Sequence, residues 1–287
     1  MWLLFTVLSA VLLGTYDVAK KQALRKNGTF AVLLVATALS TLFVSPFLRL
    51  GPLQDHLKLA LKAVLVTVSW VSGMEGLKRL PLTTVSTIKG SRPVFVVLFS
   101  IILFGERLNW MQWAGVVTVL AALYLLGHTS RKDASTQVRK TGFIWMGVSV
   151  VTGVVSALYD KYIMKGMEPL FVQSWTNLFI TVILGLCILV HRLSVVSASP
   201  ARPTVPSFQW DWTLVLVAVL ITGADALYFF ALKQPDALLS VISVVRRASV
   251  LVTFILGAII FKEGNLRAKS LNMLLMAAGV ALLLLGS

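Results

Sequence analysis

The run of residues 241–261 is apolar and long enough to cross a bilayer, yet it carries Arg246 and Arg247 side by side. A guanidinium near the bilayer centre costs at least ~2.5–3.5 kcal/mol and does not shed its proton, so the pair must face protein, water or an anion. Fourteen apolar or small residues follow the pair before Lys262, and seven precede it back to Leu239, which sets it about a third of the way into the span. Snorkelling to the interface is the bland alternative. The depth favours a buried, functional pair.

The remainder of the chain obeys the same solvent. At 57% hydrophobic and 13% charged residues, with a mean hydropathy of +0.88, its 287 residues are too apolar for a soluble domain. Residues 1–23 have no basic leader and carry Asp17 and Lys20 where a cleavage site would lie, so they read as a first helix rather than a signal peptide. Turn and charge punctuation marks ten segments of span length, at 2–23, 29–48, 58–78, 82–104, 110–127, 142–164, 170–191, 211–232, 237–261 and 270–286. The expected fold is an all-α polytopic membrane protein of ten transmembrane helices. Most links are short, as at 25–28 and 106–109, which makes neighbouring helices antiparallel. Two links are longer: the polar stretch 129–141 and the Ser/Pro-rich stretch 194–209.

The chain repeats itself. Residues 80–106 resemble residues 234–263, and the interval from Lys89 to Glu106 equals that from Arg246 to Glu263, seventeen positions. Tyr16 and Asp17 echo Tyr159 and Asp160, and Gly127 and Gly286 close the fifth and tenth segments. The expected organisation is a first five-helix repeat over 1–128, a polar linker over 129–141 and a second repeat over 142–287. Five crossings are odd, so the second repeat is inverted, the build of secondary transporters with a site near the midplane.

Six basic residues fall inside spans, Lys20, Lys89, Arg92, Lys161, Arg246 and Arg247, against four acids, Asp17, Glu75, Asp160 and Asp225. The sum of six minus four leaves +2, so internal pairing cannot neutralise the set and an anion is invited. Asp17 and Lys20, three apart, read as an internal ion pair. Lys89 and Arg92 are like charges on one face, unfavourable unless an anion or a carboxylate such as Glu75 or Asp225 lies between them. Asp225, in the small-residue stretch 222–226, reads as a structural partner of Arg246, with proton carriage as the alternative. Lys89, Arg92, Lys161, Arg246 and Arg247, joined by Tyr16 and Tyr159, are the candidate substrate-binding residues. Asp17, Lys20, Glu75, Asp160 and Asp225 are the candidates for ion pairing or proton coupling.

Other features read as bland. Glu106 and Glu263 precede the next helix and are expected to cap it. His56, His128 and His191 are scattered at helix ends and Cys187 stands alone, so no metal, disulfide or cofactor is expected. Without a Walker loop, a Ser-His-Asp grouping or a zinc signature, neither ATP-driven transport by this chain nor enzymatic hydrolysis is supported. The net charge of +15 sits in loops beside membrane helices, so no nucleic-acid partner is expected.

Residues 93–107 (PVFVVLFSIILFGER), residues 112–115 (QWAG) and the glycine-ended fifth segment resemble the drug/metabolite transporter superfamily, in its ten-helix type built of two EamA-type halves. The likeness covers nearly the whole chain. It departs in the second half, where Lys262 replaces the usual glycine before Glu263. Residues 245–252 (VRRASVLV) also resemble the dibasic ninth helix of the plastid phosphate translocators, which in that family grips substrate phosphate. That resemblance makes Lys161 or Lys165 the counterpart of the family's sixth-helix lysine and implies an anion site.

The expected function is a secondary-active, alternating-access transporter of a small organic anion, as exporter or exchanger. The alternative is a lipid scramblase or scaffold holding an anionic headgroup. The expected setting is the inner membrane of a prokaryote, as monomer or homodimer. Loop charges divide fourteen to six, the six being Arg49, Lys58, Lys62, Arg107, Lys165 and Lys233, which by positive-inside counting puts both termini outside, against the habit of the resembling families.

Overall fold

The computed structural model describes residues 1–80, 88–89, 91–129, 140–198, 208–261 and 266–286. Among these the chain forms eleven α-helices, one 3-10 turn and no strand. The helices are α1 (Trp2–Ala23), α2 (Thr29–Val44), α3 (Leu53–Arg79), α4 (Arg92–Phe104), α5 (Trp110–Thr129) and α6 (Lys140–Met164). They continue with α7 (Pro169–Ala198), α8 (Trp212–Lys233), α9 (Leu239–Arg247), α10 (Ser249–Phe261) and α11 (Leu266–Leu285). Most of the expected linker (130–139), most of the Ser/Pro stretch (199–207) and residues 262–265, with Glu263, lie outside the described residues.

Among the described residues seven helical stretches are long and apolar enough to cross a membrane, and three shorter apolar helices, Arg92–Phe104, Trp110–Leu125 and Leu271–Leu285, accompany them. The chain is a multi-pass membrane protein, all-helical over the described residues. Its surface is correspondingly reversed. On α1, Leu4, Leu8 and Val11 are exposed while Thr6, Ser9, Ala10, Gly14, Ala19 and Ala23 are buried. Lipid is as apolar as leucine, so large side chains gain nothing by turning inward, and small ones inside let backbones approach.

Small residues fix which helices pair. α1 lies on α8, where Ser9 Oγ donates to the Ala224 carbonyl at 2.7 Å. α3 lies on α6, where Ser69 and Ser149 each donate to the other's carbonyl at 2.8 and 2.7 Å. α5 lies on α11 through facing glycines: a Cβ on Gly115 would meet the Gly279 carbonyl at 2.8 Å, and one on Gly279 the Val119 amide at 2.9 Å. Further pairs come in twos, α2 with α8 and α3 with α7, α1 with α9 and α10 and α4 with α6, while α2 meets α7 and α4 meets α9.

Two expectations about element ends change. The third segment begins at Leu53 rather than 58, directly after Pro52, whose fixed φ suits a helix start. The ninth segment is not one helix. It breaks at Ala248, whose amide is shared between the carbonyls of Val244 and Val245 at 3.3 and 3.0 Å, a local tightening from α to 3-10 bonding immediately after the two arginines. Gly105 ends α4 at φ +64°, the left-handed turn a residue without Cβ adopts cheaply.

The helix ends gather at two faces. On one, Trp2 packs in the same cluster as Leu108 and Leu238, Asn109 donates to the Gly286 carbonyl, and Lys233 Nζ donates to the Met167 carbonyl at 2.9 Å. This is the face of both chain ends. On the far face Asn27 and Gln209 bond reciprocally at 2.8 Å and Lys26 Nζ lies 2.7 Å from Asp211 Oδ2. The Lys26 ammonium, and the Thr213 amide that Asp211 caps, hold this carboxyl below its usual range.

Two measurements check this packing. Gly115→Val and Gly279→Val each lower stability by about 1–3 kcal/mol through overpacking, less than additively in the double variant because they share one contact, as thermal unfolding in detergent reads. The Asp211 contribution is complete above the ordinary carboxyl value near ~3.9 and is lost as pH falls through its lowered folded value. Unfolding curves of Asp211→Ala and the parent therefore converge on acidification below about pH 4.

Candidate functional site

The break in the ninth segment opens onto a central cavity of about 260 Å³. Its walls come from α1 (Leu13, Asp17), residue 89 and α4 (Lys89, Arg92), α8 (Tyr228) and the α9–α10 junction (Ser243, Arg246, Arg247). Four basic side chains thus meet one carboxylate. Pockets for small ligands begin near ~300 Å³, so the space suits a small solute.

The four cations are satisfied unequally. Arg246 is held on every side: Nη2 lies 2.6 Å from Asp225 Oδ1, Nε donates to Ser9 Oγ at 3.0 Å, and the guanidinium carbon stands 4.1 Å from the centroid of the Tyr228 ring. Arg92 donates to the Gly153 carbonyl and lies against that glycine's open face, where a Cβ would meet its guanidinium carbon at 2.7 Å. Arg247 is different. Its Nε is buried and has no hydrogen-bond partner. Lys89 rests beside Gly73, with Nζ 3.2 Å from where a Cβ would be, and no hydrogen bond or ion pair links its ammonium to any described residue. The single acid of the wall, Asp17, is exposed and pairs with none of them within 4 Å.

Several expected roles change here. Asp17 and Lys20 do not form an ion pair; Lys20 Nζ stands 5.3 Å from the Tyr16 ring instead, which leaves Asp17 to the cavity. Glu75 does not lie between Lys89 and Arg92. It pairs with Arg79 one turn along α3. Lys161 is not in the cavity wall: it lies 3.2 Å from Glu106 Oε1 and donates to the Ala237 carbonyl. Tyr16 packs with the α1–α2–α8 cluster, and Tyr159 stacks on Tyr162 at 5.9 Å, so neither tyrosine lines the cavity.

Glu106 does not cap the helix that follows it. The α5 start is closed by Asn109 and Gln112, each side chain bonding the other's amide at 2.8 and 3.0 Å. Glu106 crosses to α9, accepting from the amides of Leu239 at 2.7 Å and Ser240 at 3.0 Å and from the Ser240 hydroxyl, where a carboxylate meets the positive end of a helix. Its only sequence signal was its repetition at Glu263.

A second missed residue is Lys62, taken for a loop charge. It is 3% exposed and paired with Asp160, itself 6% exposed, whose other oxygen accepts from the Tyr228 hydroxyl at 3.2 Å. The signal was positional: Lys62 stands nine residues inside α3, one turn beyond Lys58. No cluster of three metal-ligating side chains occurs among the described residues.

With the geometry in hand, the relatives narrow the class. Residues 1–127 match the model of the EamA-like transporter family. A Sinorhizobium protein described as an uncharacterized transporter in the cobO 3' region is 26% identical over 133 residues, which is 44% of this chain and 93% of that one. A solved chain described as "Crystal structure of protein" superposes with a TM-score of 0.78 at 16% identity, covering 100% of this chain and 99% of the other, and shows the fold alone. The class is a multi-pass helical membrane protein. Over residues 1–127 it is similar to the EamA-like transporter family.

The Arg246–Asp225 pair is partly open, 19% and 33% exposed at its side chains, so breaking it should cost less than the ~3–5 kcal/mol of a fully buried pair. Asp225→Ala is expected to lower stability by about 1–3 kcal/mol, and adding Arg246→Ala restores part of it because the stranded charge goes too. A double-mutant cycle in detergent reads the coupling directly.

Proposed function

We propose that the chain is a secondary-active transporter of a small organic anion, working by alternating access as exporter or exchanger. The observation that carries the proposal is the cavity wall: four cations against one carboxylate, with Lys89 and the Arg247 Nε lacking hydrogen-bond partners among the described residues. An uncompensated guanidinium away from water is costly, and a phosphate or carboxylate is its natural complement in charge and in forked geometry. The substrate oxyanion binds between Lys89, Arg92 and Arg247. Arg246, neutralised by Asp225, shapes the wall. The resemblance of residues 245–252 to a phosphate-gripping helix supports the same chemistry.

Ten spans in two inverted five-helix repeats accompany this reading. It is supported by the seven long and three shorter apolar helices, by helix contacts that come in twos, and by a relative matched over 93% of its own length by 44% of this chain. The domains are then residues 1–128 and 142–287 about the linker, in a prokaryotic inner membrane. Removing Lys62 from the exposed charges leaves five against fourteen, which favours termini on the non-cytosolic side.

Uptake into proteoliposomes from a panel of inorganic phosphate, phosphate esters, carboxylates and neutral analogues tests the proposal. Saturable uptake of an anion is expected, with Arg247→Ala inactive and Arg247→Lys raising the half-saturation concentration by roughly 10- to 150-fold, the equivalent of a charge-assisted bond of ~1.5–3 kcal/mol. Uptake confined to neutral solutes, or lipid movement in place of solute uptake, overturns it.

A further inference from the structure

A second cavity, of about 330 Å³, lies at the face of the chain ends, lined by Asp55, Lys58, Tyr162, Ile163, Lys165 and Met167. Nothing in the proposed substrate site uses it. Its relation to the central cavity is written along two helices. On α6, Ala157 lines the central cavity and Ile163 lines the second, with Asp160 midway. On α3, Lys58 lines the second cavity and Lys62 follows one turn inward on the same face. On α8, Tyr228 lines the central cavity and donates to Asp160. Six residues separate Ala157 from Ile163, so the wall between the cavities is ~9 Å thick along the helix, at 1.5 Å per residue. The Lys62–Asp160 pair is what fills it.

We propose that the second cavity is the other mouth of the central solute path and that the Lys62–Asp160 pair, held by Tyr228, is the gate between them. The proposal rests on the transport reading. Three side chains from three helices meet at this point, so parting α3 from α6 breaks the pair and joins the cavities in one movement. The cost of parting falls as an anion nears, because Lys62 can exchange the Asp160 carboxylate for the solute's while Asp160 keeps the Tyr228 hydroxyl. Lys58 and Lys165 line the approach to Lys62 with charge of the same sign. Lys58 is itself paired with Asp55 at 3.2 Å while half-exposed.

The test needs no substrate. With the only cysteine, Cys187, changed to serine, Ser243→Cys places one thiol in the central cavity wall. Sealed vesicles of known orientation are treated with a membrane-impermeant, sulfonate-bearing thiol reagent from the face of the chain ends. The parent reacts slowly from that face. Asp160→Asn, which strands Lys62, is expected to raise the rate by roughly ten- to a hundredfold, as loss of one partner of a buried pair shifts a closed–open equilibrium. Tyr228→Phe, which removes only the hydroxyl that holds Asp160, should raise it less and carries the test should Asp160→Asn not fold. An unchanged rate in either variant, when folded, overturns the gate. An unchanged rate with anion uptake intact sinks the gate and leaves the transport reading standing, whereas faster labelling with no uptake of any anion does the reverse.

Discussion

A cation inside a hydrocarbon layer has to be answered from within the protein, and the helix arrangement follows where the answers lie. Arg246 reaches Asp225 and Ser9, and so ties α9 to α8 and α1. Lys62 reaches Asp160, which ties α3 to α6. Lys161 reaches Glu106, and Glu106 in turn caps α9, so one carboxylate joins the α4–α5 turn, α6 and the start of the broken helix. Each contact offsets a desolvation cost that no lipid could relieve. What is left over among the described residues, Lys89 and the Arg247 Nε, is where the proposed transport reading puts the solute.

The pairs are placed by packing that has little to do with charge. Ser9 on Ala224, Ser69 on Ser149 and Gly115 on Gly279 bring backbones together by being small, and large apolar side chains turn outward to lipid. Such contacts supply shape rather than a hydrophobic drive, so the membrane holds the helices upright while small residues choose their neighbours. Rigid pairs on either side of a cavity are the parts alternating access requires, because they can rock without repacking.

Much of this was legible in the sequence, and the failures share one cause. The helical, multi-pass class and the place of Lys89, Arg92, Arg246 and Arg247 on one cavity wall followed from hydropathy and from the cost of intramembrane charge. Partners did not follow. Glu75 takes Arg79, Lys20 takes Tyr16, and Lys161 takes Glu106, because a side chain's partner across a bundle depends on helix rotation and depth, which a linear pattern leaves open. Lys62 was misplaced for a related reason: a lysine two turns from a helix end looks the same in sequence whether it points to water or to a buried carboxylate. The break at Ala248 carried no Pro or Gly to announce it.

The proposed repeat also accounts for why the two halves differ electrically. In the proposed repeat Lys89 matches Arg246, and the same register sets Asp225 against Val68, which is apolar. On that proposed alignment the first half has a cation without the carboxylate that neutralises its counterpart. A perfectly duplicated pair would leave the cavity near neutrality and give an anion nothing to compensate. On that reading one acid fewer in the first half leaves Lys89 to the proposed site, while Arg246 stays paired with Asp225.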